Sequence, residues 1–517
     1  MIEKQLKRIG LLSMMTALFM ISCTNLEIKE TDSIHSSGGD GGFSGVEDVD
    51  ASVTNLYNSL NGQLAGQGNY FALNEVTTDE QLVPTRGTDW GDNGVWRTLH
   101  AHTWSSSHAY VLTVWNQFNQ NIFLATEIID PLSNATASQI ADAKFIRAFS
   151  MYNIMDLYGQ VPFRAPDEGP DVNPIVMTRT EAFDFVLQDL NDAIADLPST
   201  GPSTETNRAS KASANFLKAR LLLNAHVYKG TGSADADDMD GVITAVNAIS
   251  GDGYGLQAGY FDLFKEDIDN ETIWFLRAGI GSRIWNGLHY HQIVPDQTGG
   301  GWNGFTTLAE FYDLFEGAPN SNFAGDGQEE RRGWVPDATN ADNTNYGIGY
   351  GFLIGQQYDA DGNKYKDRAG ADLEFSKSLP GLSGNDEKTG IRVIKYHPVN
   401  GPFTEHQIIF RYSDAHLMKA EAMLRKGGDA TAMVNELRSL RGASDLGNVS
   451  ESDLLDERGR EMYVEFTRRM DMVRFGQFTR DWEFKDPGSV GSDHLNLFPI
   501  PSNALLSNPN LTQNEGY

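Results

Sequence analysis

The residues best suited to chemistry lie in a segment rich in tryptophan, acids and glycine, residues 74–104, "NEVTTDEQLVPTRGTDWGDNGVWRTLHAHTW". Flat aromatic rings stack on the apolar C–H faces of sugars, while carboxylate, amide and guanidinium groups hydrogen-bond pairs of hydroxyls. Glycine and proline interrupt the segment, so no helix face explains its tryptophans. We interpret it as a carbohydrate-binding loop with the candidates Glu75, Asp79, Glu80, Arg86, Asp89, Trp90, Asp92, Asn93, Trp96 and Trp104.

Some of these rings are expected to fill the core beneath the loop instead of contacting a ligand. Trp104 precedes a helical run, and we assign it to the core. For Trp90 and Trp96 the pattern leaves core packing and ligand contact open. A second aromatic cluster lies at 282–305, "SRIWNGLHYHQIVPDQTGGGWNGF", and its candidates are Trp285, His289, Tyr290, His291 and Trp302.

The sequence favours binding over catalysis. With 70 acidic residues, some carboxylate pair will always lie at glycosidase distances, so their number does not indicate hydrolysis. The His-x-His pairs at 100–102 and 289–291 lack a third placed ligand, and no nucleophile or phosphate-loop motif stands in a suitable strand–helix context. We therefore expect neither enzymatic activity nor a cofactor.

One segment, "DADGN" at 359–363, is similar to part of a calcium-binding loop. Arg368, however, stands where an EF-hand loop needs glutamate, and the pattern predicts a hairpin turn instead. A structural calcium elsewhere among the acidic loops is an alternative.

The charge balance restricts the partners. Forty basic residues against 70 acidic ones leave a net charge of −30. Such a surface repels phosphate backbones, so we expect no nucleic-acid partner, and it argues against polyanionic ligands. The charged run 456–471 has helical spacing, which predicts mutual pairing within Glu457–Arg460–Glu461 and within Glu465–Arg468–Arg469.

An internal repeat predicts the scaffold that must position these loops. The pattern A-x-[FL]-[ILM]-[RK]-A recurs at 143–148, 214–219 and 415–420, with its small alanines on a helix where a neighbour can approach closely. The first two copies lie 71 residues apart, about twice the period of tetratricopeptide helix pairs. We predict a mainly α fold of tetratricopeptide-like helical repeats at about 46–250 and 411–480.

Between about 251 and 410 glycine, asparagine and aspartate are dense, and short β-like runs such as "TIWFL" (272–276) and "IRVIKYH" (391–397) appear. We predict a large irregular, loop-rich insertion with short strands, which belongs with the helices to one domain, 46–517. Long insertions on a repeat scaffold often carry binding.

The N-terminus predicts secretion and lipid attachment. Lys4, Lys7 and Arg8 precede an apolar run, 9–21, that is too short to span a bilayer. The sequence Met20-Ile21-Ser22-Cys23 then resembles a bacterial lipobox, and Cys23 is the only cysteine of the 517 residues. We predict a lipoprotein signal peptide at 1–22, lipidation of Cys23, and a flexible tether at 23–45.

Four blocks together resemble the SusD/RagB-like family of Bacteroidetes surface lipoproteins: "RAFSMYNIMDLYGQVPF" (147–163), "RYSDAHLMKAEAMLRKGG" (411–428), "LLDERGREMYVEFTRRMDMVRFG" (454–476) and "LFPIPSNALLSNPNLTQNEGY" (497–517). The resemblance implies tetratricopeptide-like units and a lipid-anchored protein of the outer membrane, exposed at the cell surface. Such a protein captures nutrients, most often glycans, and acts as a lid on a SusC-type TonB-dependent transporter.

The resemblance also ranks the candidate ligand contacts, because glycan-binding members use both regions described above. The residues so implied are Asp79, Arg86, Trp90, Asn93, Trp96, Trp285, Tyr290 and Trp302. Together with the negative charge they favour a neutral, glucan-type polymer. A peptide-binding member of the same family and a lipid-anchored glycosidase are the alternatives.

Overall fold

The computed structural model describes residues 42–169, 171–294, 300–342, 344–400 and 406–517. Residues Ser44–Tyr517 form one compact unit. The predicted signal peptide, Cys23 and most of the predicted tether lie outside the described residues, so these assignments stay predictions.

Helices dominate the described residues. None of them combines the length and the apolar character that crossing a bilayer requires. In chain order the helices are α1 (Val49–Ala65), α2 (Asn69–Glu75), α3 (Val95–His100), α4 (Ala109–Ile129), α5 (Ala137–Tyr158), α6 (Arg179–Asp196), α7 (Lys211–Leu223), α8 (Ala225–Tyr228), α9 (Ala236–Gly251), α10 (Gly281–Gly287), α11 (Ala309–Tyr312), α12 (Tyr412–Arg425), α13 (Thr431–Leu440), α14 (Glu451–Met462), α15 (Arg468–Arg474) and α16 (Ser502–Ser507).

The strands are short, and the described pairs of strands are antiparallel. The pairs β1–β2, β3–β9 and β6–β7 each form a two-stranded sheet, and β4, β5 and β8 form a three-stranded sheet. Their bounds are β1 (Val161–Phe163), β2 (Ile175–Met177), β3 (Thr272–Leu276), β4 (Gly333–Trp334), β5 (Tyr350–Leu353), β6 (Gly355–Gln356), β7 (Glu374–Phe375), β8 (Arg392–Ile394) and β9 (Gln407–Arg411). The predicted mainly α fold with an irregular, strand-containing insertion is confirmed.

Each copy of the sequence repeat is helical and is followed by a left-handed glycine. The first copy lies in α5, which is capped by Gly159 (φ 75°), and the third lies in α12, which Gly427 (φ 80°) follows. The second copy lies in α7, which is followed by the short α8 and then by Gly230 (φ 65°). Because glycine has no Cβ, it takes this conformation at little cost and ends the helix. The repeat alanines are all fully buried: Ala143, Ala148, Ala214, Ala219, Ala415 and Ala420.

The basic position of the repeat links neighbouring helices in the same way in all three copies. In each, the basic side chain donates a hydrogen bond to a polar residue of the adjacent helix, α6 or α9. The pairs are Arg147–Asp189 (2.7 Å), Lys218–Asn191 (2.7 Å) and Lys419–Asn247 (2.7 Å). The sequence repeat therefore marks a structural repeat of helix pairs.

The strands β3 and β9 anchor the irregular insertion inside the helical core. Every residue of both strands is buried. Trp274 of β3 is fully buried, and its ring lies 5.1–5.3 Å from the rings of Phe145, Phe149 and Phe410. A second hydrophobic cluster fills the insertion itself, around Phe352 and Tyr463.

A network of buried ion pairs joins the helical repeats to the insertion. At its centre, Glu461 of α14 accepts hydrogen bonds from Arg411 of β9 (2.6 Å) and Arg441 (2.9 Å), with Arg331 3.4 Å away. Burial raises the pKa of Glu461, but these three guanidinium charges outweigh it and hold the pKa well below its usual range. The carboxylate therefore stays ionised in the core.

The structure corrects the predicted pairing in part. Arg460 pairs with Glu457 as the helical spacing predicts (2.7 Å), but Glu465 pairs with Arg411 (2.7 Å) and not with Arg468. The reason is a break between α14 and α15, in which Val464 (φ 59°) and Phe466 (φ 65°) are left-handed. The backbone N–H groups of Val464 and Phe466 donate to the buried side chains of Glu80 and Glu75, respectively. These hydrogen bonds stabilise the non-helical backbone of the break.

We expect Glu461→Gln to lower the free energy of unfolding by about 3 kcal/mol, because it removes the carboxylate that three buried arginines share, although each keeps another carboxylate partner. Chemical denaturation measures this change. The control is Asp372→Asn, which breaks exposed pairs with Lys364 and Lys366 and should change stability little. Equal effects of the two substitutions would contradict a central role for the buried network.

Candidate functional site

The loop that precedes α3 has an unusual backbone. Three non-glycine residues, Trp90 (φ 60°), Asp92 (φ 36°) and Asn93 (φ 52°), adopt the left-handed region within four positions. Such strain persists only where the surroundings hold it, and it is concentrated at functional sites. Here a tight turn precedes the strained residues, with Arg86 and Asp89 exchanging two backbone hydrogen bonds (2.8 and 3.0 Å).

Three of the predicted aromatic residues converge on one open hollow of about 400 Å³, although they come from distant parts of the sequence. They are Trp90, Tyr290 and Trp302, and Thr88, Asp89 and Asp92 complete the lining. The Trp90 indole Nε1 donates to the backbone oxygen of Trp302 (2.8 Å), so the two tryptophans hold each other in place. Gly304 lies beneath, where a Cβ would come within 2.6 Å of the Trp90 ring. We call this feature the aromatic hollow.

Polar contacts fix the third ring of the hollow. The Tyr290 hydroxyl donates to Asp89 Oδ2 (2.6 Å), and the Arg368 guanidinium lies 3.9 Å from the Tyr290 ring centroid. Arg368 also donates to Asp89 (3.0 Å) and pairs with Glu387. The hydrogen bond from Tyr290, together with Arg368, holds the pKa of Asp89 below its usual range. The hollow therefore presents a fixed carboxylate beside its rings.

Trp96 supports the hollow from below. It is only 2% exposed, its Nε1 donates to Asp92 Oδ2 (2.8 Å), and its ring meets that of Trp90 edge-on at 6.1 Å. The structure thus resolves the open alternative for Trp96 in favour of core packing. Trp104 is buried as predicted, and its Nε1 donates to the Tyr517 hydroxyl (2.7 Å).

Two charged candidates, Asp79 and Arg86, are buried in the scaffold, and neither lines the aromatic hollow. Asp79 is 1% exposed and binds Arg468 through both oxygens (2.8 and 2.7 Å). Burial raises its pKa, but Arg468 and Arg480 outweigh that effect and lower it. Arg86 is 3% exposed and donates to the backbone oxygens of Asp386 (2.8 Å) and Thr389 (2.7 Å), and burial lowers its pKa to about 10.

The last two candidates lie beside the hollow without lining it. Asn93 is exposed, but the neighbouring Asp92 supplies the lining side chain. Trp285 is half-buried against the second hydrophobic cluster, and its backbone oxygen accepts from the Trp302 N–H (2.6 Å). Sequence reasoning missed Arg368 and Thr88. No local pattern marks Arg368, because its partners Asp89 and Tyr290 are distant in the chain.

The described residues contain no group of three or more His, Cys, Asp or Glu side chains arranged to hold a metal ion. The segment at 359–363 forms the predicted hairpin turn, with Tyr358 bridged to Lys364 and Gly362 at φ 79°. Asp359 Oδ1 accepts from the backbone N–H of Asn363 (2.8 Å). The expectations of no cofactor and of a calcium site elsewhere both stay predictions.

The fold and the hollow together define a class, namely helical-repeat proteins that present aromatic rings on irregular loops. The family model described as "SusD family" matches residues 270–517, and the model described as "Starch-binding associating with outer membrane" matches residues 29–223. The two matches cover most of the chain, and the chain belongs to the SusD/RagB-like family, which confirms the resemblance found in its sequence.

Individual relatives extend this similarity along the chain. The starch-binding protein SusD of Bacteroides thetaiotaomicron is 29% identical over an alignment 524 positions long, which covers 92% of this chain and 90% of that protein. Surface glycan-binding protein A from Bacteroides uniformis superposes with a TM-score of 0.68 at 17% identity, covering 90% of this chain and 98% of that one. A laminarin-binding SusD-like protein superposes with a TM-score of 0.66 at 19% identity, covering 92% and 100%. The two structural likenesses establish the fold.

The two buried acids at the break between α14 and α15, Glu75 and Glu80, generate a prediction about pH. Burial raises the pKa of Glu75 to about 7, and burial together with the Glu75 charge raises the pKa of Glu80 well above its usual range. A glutamate whose pKa is higher in the folded state than in the unfolded state stabilises the fold while it is protonated. That stabilisation is fully present below about pH 4.3 and is lost as the pH rises through about 7. We expect Glu80→Gln to flatten the fall in melting temperature between about pH 5.5 and 8.

Thermal unfolding across this range measures the effect. Glu436→Gln is the matched control, because the Glu436 side chain is 66% exposed, and it should leave the wild-type pH profile unchanged. A wild-type melting temperature that does not fall over this range would contradict the raised pKa values.

Proposed function

We propose that this protein is a cell-surface lipoprotein that binds a neutral, glucan-type oligo- or polysaccharide in the aromatic hollow. It then delivers the glycan to a SusC-type TonB-dependent transporter in the outer membrane. The observation that carries the proposal is the convergence of Trp90, Tyr290 and Trp302 on one open hollow.

The hollow has the two features that sugar recognition needs. Trp302 is 41% exposed, so part of its ring is open to stack on the C–H face of a pyranose. Thr88, Asp89 and Asp92 lie beside the rings and supply hydroxyl and carboxylate groups for sugar hydroxyls. Because hydrogen bonds already fix Trp90 and Tyr290, little side-chain entropy is lost on binding.

Charge favours a neutral ligand. Two aspartates line the hollow, and the whole chain carries −30. The adjacent cation, Arg368, is already paired with Asp89 and Glu387, so its charge is neutralised locally. A sulfated or uronate polymer would therefore meet repulsion. The relatives named for starch and laminarin, which are both uncharged glucose polymers, support the same ligand class.

The electrostatics of the hollow favour binding over hydrolysis. A glycosidase needs a carboxylic acid with a raised pKa beside the scissile bond. Asp89 has the opposite shift, because Tyr290 and Arg368 stabilise its ionised form. The carboxylate is thus suited to accept hydrogen bonds from sugar hydroxyls and poorly suited to donate a proton.

We expect Trp302→Ala to weaken glycan binding at least about tenfold, since losing an aromatic contact costs about 1.5–3 kcal/mol and about 1.4 kcal/mol is tenfold. Calorimetry with a panel of maltose-, laminarin- and cellulose-derived oligosaccharides measures the loss, with reducing-sugar release monitored in parallel. Trp302→Phe is the matched control, because it keeps a ring and should retain most of the affinity.

Three outcomes would contradict the proposal. Equal affinity of the alanine variant would remove Trp302 from the site. Sugar release from the oligosaccharides would show an enzyme. Binding of oligopeptides with no binding of any glycan would indicate a peptide-binding member of the family.

The anchor is tested separately. We expect Cys23→Ala to move the protein from the outer-membrane fraction to the soluble fraction, because the thiol is the proposed acyl acceptor. Cell fractionation and immunoblotting measure this, and a TonB-dependent barrel should copurify with the wild-type chain from detergent extracts. Membrane retention of the Cys23→Ala variant would contradict lipid anchoring at this residue.

A further inference from the structure

A second aromatic cleft lies in the irregular insertion and shares no lining residue with the aromatic hollow. Its volume is about 570 Å³, within the range of about 300–1,000 Å³ typical of ligand pockets. Three half-buried rings line it, namely Phe261, Trp334 and Tyr350. We call this feature the insertion cleft.

The rings of the insertion cleft are positioned by the β4–β5 pair. Trp334 and Tyr350 are directly paired across these strands, and their ring centroids lie 6.1 Å apart with planes inclined by 31°. Phe261 approaches Tyr350 at 5.4 Å. Gly333 (φ 71°) is required beside Trp334, because a Cβ there would lie 2.0 Å from the Tyr350 backbone oxygen. The close approach of the two strands therefore brings the aromatic pair to one wall.

Hydrogen bonds connect one side of the insertion cleft to residues of the buried ion network. The backbone N–H of Glu330 donates to the backbone oxygen of Arg441 (2.9 Å), and the hydroxyl of Tyr260 donates to the backbone oxygen of Glu461 (2.7 Å). Glu330 Oε1 in turn accepts from the Tyr260 N–H (2.7 Å). Tyr350 is also stacked on buried His397 at 4.1 Å. A preformed wall of this kind loses little conformational entropy when a ligand binds.

The polar groups of the insertion cleft fit an uncharged polyhydroxylated ligand. Asp262 and Lys265 form an ion pair at its edge, with side chains 63% and 34% exposed, and Gln328 adds an amide. Lys265 can donate to hydroxyls, and Asp262 and the Gln328 amide oxygen can accept from them, because the Gln328 amide nitrogen already donates to the backbone oxygen of Phe323 (2.9 Å). Glu330 disfavours an anion. Gly325 and Gly327 line the cleft without side chains, and a Cβ at either would meet open space.

We propose that the insertion cleft is a second saccharide-binding site, in which Trp334 and Tyr350 form the stacking wall and Asp262, Lys265 and Gln328 bind hydroxyls. The choice of a neutral glucan as its ligand rests on the proposed function. A polymer long enough to occupy both sites at once would be held more tightly than by either site alone, because the second contact is then intramolecular.

The test is fluorine NMR of the full-length lipoprotein in detergent, with 5-fluorotryptophan in place of its nine tryptophans. Single Trp→Phe substitutions assign the resonances of Trp90, Trp302 and Trp334. The probes are maltohexaose and laminarihexaose. We expect a saturable shift of the Trp334 resonance with at least one of them, and we expect the same shift in a Trp90→Ala/Trp302→Ala background. The dispersion of the remaining resonances reports that each variant is folded.

The outcomes separate the two proposals. A Trp334 resonance that stays in place while those of Trp90 and Trp302 shift would overturn the insertion cleft and support the aromatic hollow. A shift of Trp334 alone would support the insertion cleft and overturn the aromatic hollow as the glucan site. A Trp334 shift that disappears in the double-alanine background would also overturn an independent second site. If none of the three resonances shifts with either hexasaccharide, both proposed sites would be overturned as binding sites for these glucans.

Discussion

The rest of the structure depends on the ion pairs that the buried Glu461 carboxylate makes. Arginines from three separate segments, Arg331, Arg411 and Arg441, surround it. An ion taken out of water costs several kcal/mol unless it is fully paired, so each of these segments must occupy one position for the network to form. The strand pairs of the irregular insertion are short, and these charges contribute to how it joins the helical repeats. The insertion cleft is hydrogen-bonded to this network through Glu330 and Tyr260.

The aromatic hollow illustrates how buried residues serve an exposed site. Trp90 has a left-handed backbone that costs energy, and the surroundings maintain it through Trp96 below and the hydrogen bond to Trp302. The Arg86 guanidinium donates a hydrogen bond to the backbone oxygen of Asp386 and so holds the adjoining loop in place. Hence the residues between 74 and 104 divide into those that face the hollow and those that hold it in shape. Removing a member of the second group would alter binding through geometry.

Much of the fold was predictable because its signals are local. Alanine spacing and terminal glycines specify helix packing and helix ends within one copy of the repeat, and the run at 272–276 coincides with β3. The hairpin at 359–363 likewise follows from turn residues. The break between α14 and α15 was not predictable, since the local periodicity continues through it. Its cause is Glu75 and Glu80, which are nearly 400 residues away in the chain.

For the site, the sequence by itself determined the chemistry: aromatic rings, acids and amides in glycine-broken loops, on an acidic, family-typical scaffold. It also supplied Trp90, Tyr290 and Trp302, which the fold brings together. Only the tertiary structure decided which candidates are exposed, placing Asp79 in a buried ion pair and recruiting Arg368 to the hollow. The physical reason is that residue type sets which bonds a side chain can make. Its burial and its partners depend on segments that are remote in sequence and meet only when the core closes.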